Sequence, residues 1–184
     1  MSGYTFNQFG LVAPLGVIFD DQGGVDSVSG TTTQLPNLVV ARYKYVLYKS
    51  TTNPALASAP GLVYYTDETQ TVVSGAMADG QTATPSSLAG VLMINTTDLS
   101  TITATILNNG GNGSGVWICI GGFVKGCTSV ASTALGDALI GSSTAFTPAR
   151  VAAGTAPTYV KTLTALTAIS GGVSDVLVNI SPLA

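Results

Sequence analysis

Histidine is missing from all 184 residues, only 8% of the chain is charged, and Glu68 is the one glutamate among nine acids. Without imidazole, Ser-His-Asp and Cys-His nucleophiles are excluded, as is every zinc site that depends on histidine. Positive charge is scarce as well. Six Lys and Arg within a net charge of -3 leave no footprint for nucleic acid, whose binding rests on basic side chains facing phosphates. Long apolar runs are also lacking. The richest stretches, 88–95 and 116–124, are short and interrupted by glycine, against the ~20 apolar residues of a membrane-spanning helix. Aromatics (Phe 5, Tyr 7, Trp 1) are too few for the girdles of a transmembrane barrel. No membrane partner is therefore expected. Residues 1–10 have neither a basic leader nor a long apolar core, so they do not read as a secretory signal; the chain is intracellular when made or its signal has been removed.

Cys119 and Cys127 are the only cysteines, too few for a structural zinc centre. On one continuous strand they would stand roughly 26 Å apart, beyond disulfide reach. A tight turn at Gly121 and Gly122 would set Cys119 opposite Val124 instead. Two small buried thiols are the expectation.

What is present is a polymer of Thr, Ala, Gly and Val with 46% hydrophobic residues, too apolar and too weakly charged for disorder. Residues 38–50 (LVVARYKYVLYKS) read as a long strand rich in β-branched and aromatic side chains. With period 2, Ala41, Tyr43, Tyr45 and Leu47 share one face and Arg42, Lys44, Val46 and Tyr48 the other. Arg42 and Lys44 are thus candidates to meet an acidic partner, or else gatekeeping charges on a solvated face. Further strands are expected at 62–66, 69–74, 90–95, 101–107, 116–125, 138–141 and 173–180, with 159–169 readable as strand or helix. Short strands between turn signals predict an all-β fold, a sandwich or barrel. Its long loops are placed at 20–36, 75–87, 108–115 and 142–158. Residues 1–36 read as an irregular N-terminal arm, and 37–184 as a β-rich domain of one core or two small ones. Tyr4, Phe6 and Phe9 in the arm are candidate partner contacts.

No chemical motif converges. The nearest approach to a Ser-Lys pair is Thr158 before Lys161, and neither G-x-G-x-x-G nor the Walker pattern occurs. Asp67, Glu68, Asp79, Asp98, Asp137 and Asp175 are the carboxylates from which a hydrolytic pair would have to come. Asp20, Asp21 and Asp26 could supply oxygen to calcium, but they lack EF-hand spacing and read better as an acidic turn. No catalytic residue, metal or cofactor is therefore assigned.

The succession GLVYYTDETQTVV (61–73), AGVLMINTTD (89–98), GVWICIGGFVKGCTSV (115–130) and LGDALIG (135–141) resembles auxiliary capsid proteins of tailed bacteriophages, the decoration or cement proteins. The resemblance implies a β-rich, β-tulip-like protein, often trimeric, on the outer face of an icosahedral head. It would be made in the host cytoplasm and would bridge subunits of the major capsid protein. A second expectation from the residues is a receptor- or glycan-binding β-module of a head fibre or tail tip, using Tyr43, Tyr45, Tyr48, Tyr64 and Tyr65 as a stacking platform.

Overall fold

The structure, a computed structural model, describes residues 13–21, 41–52, 59–93, 108–151, 155–157 and 162–180. Among the described residues ten strands form one sheet: β1 (Ile18–Asp21), β2 (Ala41–Tyr48), β3 (Gly61–Tyr65), β4 (Val72–Ser74), β5 (Leu88–Leu92), β6 (Ser114–Thr128), β7 (Ala138–Ile140), β8 (Ala149–Val151), β9 (Thr162–Ala165) and β10 (Val173–Asn179). The order is β1-β2-β4-β3-β5-β6-β10-β9-β7-β8, and an added pairing of β2 with β6 closes β2-β4-β3-β5-β6 into a five-stranded barrel. The expected all-β class is what the chain adopts. Only β2 with β4 is parallel; the other strand pairs run antiparallel.

Strand β6 joins the two halves of the sheet. Its 15 residues pair with β2 from Ser114 to Gly122 and with β10 from Gly121 to Thr128, so one strand is a barrel stave first and part of the outer sheet afterwards. Because side chains alternate along a strand, the shared strands serve two cores. Val63, Tyr65, Ile118 and Ile120 turn into the barrel with Val46, Tyr48, Val73, Val116 and Phe146. Leu62, Tyr64 and Cys119 turn outward and are covered by Leu139, Leu163, Val176 and Val178 of the outer strands. Burial on both faces explains why β3 and β5 read as continuous apolar runs rather than alternating ones.

The barrel end is filled from a loop. Phe146, fully buried, stacks on Tyr48 with centroids 6.3 Å apart. Its amide donates to the Gly75 carbonyl and its carbonyl accepts from the Leu62 amide, both at 2.9 Å. Its φ of 59° lies in the left-handed region, where a bulky side chain is rare, so the contacts on either side hold a strained backbone.

Several boundaries differ from the sequence expectation. The 38–50 element is a strand over 41–48 within the described residues, 162–165 of the ambiguous 159–169 segment form strand β9, and the loop at 142–158 contains β8. Residues 18–21, placed in the irregular arm, form edge strand β1 on β2. No turn forms at Gly121 and Gly122, since β6 runs straight through them. The strand expected at 101–107 lies outside the described residues.

Candidate functional site: turn locks and an apolar outer face

Of the candidate partner contacts, Tyr4, Phe6 and Phe9 lie outside the described residues. Lys44 shares its strand face with Val46 and Tyr48 and points into the barrel mouth, only 7% exposed. Its ammonium donates to the Tyr65 hydroxyl at 3.3 Å and sits 4.9 Å from the centre of that ring. Burial lowers the Lys44 pKa below the ordinary lysine value, with the nearby Asp67 charge opposing the shift. Lys44 is thus engaged within its own chain, whereas Arg42, beside a bulge at Arg42/Tyr43, is half-buried. Of the tyrosine platform, Tyr45, Tyr48, Tyr64 and Tyr65 are buried and Tyr43 is half-buried. Tyr45 packs against Trp117 at 5.1 Å, in a space that exists because Gly115 has no side chain: a Cβ there would meet the Tyr45 hydroxyl at 1.8 Å.

Three of the candidate acids hold turns. Asp79 accepts from the Ser50, Thr51, Thr52 and Ser74 hydroxyls and the Thr51 amide, tying the end of β2 to the turn that follows β4. Partial burial raises its pKa, but the hydrogen bonds from Thr51, Ser50 and Ser74 outweigh it and bring the group down to about 2. Asp67 closes the β3–β4 turn, accepting from the Thr69 and Thr71 hydroxyls and the Thr71 and Val72 amides. Partial burial again works upward, and the same donors turn the net shift downward. Asp137, fully buried, accepts from the Ala134 amide at 2.7 Å and forms an ion pair with Arg150, joining the β7 entrance to β8. Asp175 accepts from the Gly126 amide at 2.9 Å beside the β6–β10 bulge. Glu68 is exposed and Asp98 lies outside the described residues. Among the described residues no three of Cys, Asp and Glu gather closely enough to hold a metal ion. Asp20 and Asp21 belong to β1, and Asp26 lies outside the described residues.

Cys119 and Cys127 are free, buried thiols on one strand, both facing the core between barrel and outer sheet. Burial pushes Cys119 up to about 11 and Cys127 to about 12.

The feature that sequence reasoning missed is on the other side of the outer sheet. Register places Phe123, Leu177, Thr164, Ala138 and Val151 directly opposite one another in a single row across β6, β10, β9, β7 and β8. Phe123 is 43% and Leu177 44% exposed. Ile140 opposite Ala149 continues the apolar surface on one side of the row. On the other side Leu166, 38% exposed, donates its amide to the Asp175 carbonyl. Among the described residues, four of the seven exposed large apolar side chains, Phe123, Leu135, Leu166 and Leu177, lie on this face or on the turn leading into β7, so the exposure is concentrated rather than scattered. The signal was present in 173–179: Leu177 shares its strand face with Asp175 and Asn179, a large apolar residue in a polar row.

Comparison with protein-family models, with curated proteins and with solved structures finds no match.

Proposed function

We propose that the chain is a structural virion protein that decorates and stabilises the outer face of a phage capsid, bridging neighbouring major capsid subunits. The observation that carries the reading is how the polar groups are used. Asp67, Asp79 and Asp137 each fix a turn of their own chain. The exposed positions include many hydroxyls, among them Thr69, Thr82, Ser86, Ser132, Ser143 and Thr144. A lattice clamp needs wide contact area with little charge to strip of water, and hydroxyl and apolar groups meet that need better than ions. The segments that resemble decoration proteins occupy β4, β3, β5 and β6, which are consecutive in the barrel wall, and β7 of the outer sheet. A protein that binds only the assembled shell stabilises it by mass action at every site it fills.

The alternative glycan-binding module depends on the tyrosine platform, of which Tyr43 alone escapes full burial. A carboxylate hydrolase requires an acid with a raised pKa, and Asp67 and Asp79 shift the other way. The test is the copy ratio of this chain to the main shell protein in purified particles, by quantitative mass spectrometry. A ratio of order one supports the cement reading; a few copies per particle point to a fibre, and absence from particles overturns both.

A further inference from the structure

We infer that the outer face of β6, β10 and β9 is a contact between two copies of this chain, related by a two-fold axis running roughly along the strands between β6 and β10. The inference does not depend on the capsid reading. Phe123 and Leu177 are direct cross-strand neighbours, and both are more than two-fifths exposed. Rotating a second copy about that axis lays Phe123 of each copy over Leu177 of the other, an arrangement open to a surface that complements itself.

The charges beside this pair fit the same axis. Lys125 is exposed on β6, two residues beyond Phe123 and on the same strand face. Asp175 is half-buried on β10, two residues before Leu177. In the antiparallel ladder these two lie toward the same end of the face, with opposite signs on adjacent strands. The two-fold therefore brings Lys125 of each copy to Asp175 of the other, while the face as a whole carries no net charge from the pair. A strongly acidic or basic partner would gain from one of these residues and be repelled by the other, whereas a second copy satisfies both.

Size sets the strength. Three strands about 4.8 Å apart and three side-chain rows about 7 Å apart give a face of roughly 300 Å². That is less than half of the ~800 Å² per partner in a standard interface, so pairing should depend on concentration rather than be permanent.

The test is sedimentation velocity of the purified full chain from about 5 to 500 µM, on the wild type, Leu177→Asp, Lys125→Glu and the swap Lys125→Asp/Asp175→Lys. Circular dichroism and thermal melting serve as fold controls. The expected result is a monomer–dimer equilibrium that Leu177→Asp abolishes, that Lys125→Glu weakens at least about tenfold, and that the swap largely restores. Three outcomes overturn the inference: a wild type that stays monomeric throughout, which would leave the face to a different partner; self-association that survives Leu177→Asp in a folded protein; or open-ended aggregation without a defined dimer.

Discussion

Replacing Gly75 with alanine should damage the barrel through one contact, and Phe146 should decide how badly. A Cβ built on Gly75 would stand 2.1, 2.3 and 2.6 Å from three atoms of the Phe146 ring. The ring has little room to retreat, being fully buried, stacked on Tyr48, and carried by a backbone tied to both Gly75 and Leu62. Overpacking a close-packed core costs about 1–3 kcal/mol, and a clash this deep belongs at the upper end or beyond it. Phe146→Ala removes the plug instead and should cost about 3–5 kcal/mol. At about 2–4 °C per kcal/mol for a chain of this size, that lowers Tm by roughly 6–20 °C. The two changes should not add. With the ring gone, the new methyl group no longer meets it, so Gly75→Ala should cost under about 1 kcal/mol in the Phe146→Ala background, a coupling of about 2 kcal/mol. Urea unfolding of all four proteins, followed by Trp117 fluorescence and far-ultraviolet circular dichroism, measures the cycle. Additivity within about 0.5 kcal/mol would refute the contact, and a Phe146→Ala cost below about 1 kcal/mol would refute the plug.

Other expectations concern the turn locks and the thiols. The folded-state pKa of Asp79, about 2, is depressed below the ordinary 3.8, so its stabilisation is complete above the unfolded value and is lost as pH falls through the folded one. Stability should therefore decline between about pH 4 and 2, and Asp79→Asn should flatten that part of the profile while costing about 1 kcal/mol at neutral pH, a figure reduced for solvent screening; an unchanged acid profile would contradict the lock. Arg150→Ala strands the buried Asp137 carboxylate and should cost about 3 kcal/mol in chemical unfolding; a loss under about 0.5 kcal/mol would show that the pair is worth no more than a surface ion pair. Cys119 and Cys127 should resist an aromatic disulfide reagent at pH 8 in the native protein and both react after unfolding. Rapid native labelling of either would mean that the core between barrel and outer sheet opens readily.

The strands most legible in the sequence were those whose composition speaks locally. Residues 61–65, 138–140 and 173–179 were anticipated within a residue or two because β-branched and aromatic runs end there at turn residues. Closure of the barrel was not legible, because it depends on β2 pairing with β6 some seventy residues away, and no local pattern records such a partner. The same pairing explains the misjudged character of Lys44. A lysine on a strand reads as solvated, but on a barrel stave the face it shares with Val46 and Tyr48 is the interior, and its long stem reaches the mouth at Tyr65. Asp79 and Asp137 were read as turn residues from their glycine neighbours, and both do hold turns; their donors, Ser50 to Thr52 and Arg150, come from segments that only the fold brings near. The Phe123–Leu177 face escaped notice because its two halves lie on different strands, each with a single large apolar residue among polar or glycine neighbours.

The most direct test of the decoration reading is to add the purified chain to heads assembled without it and to measure bound copies and the temperature at which the heads disrupt. The account predicts saturable binding at about one copy per shell subunit, with a disruption temperature that rises with occupancy. Heads that bind no protein, or that bind it without any gain in stability, would contradict it.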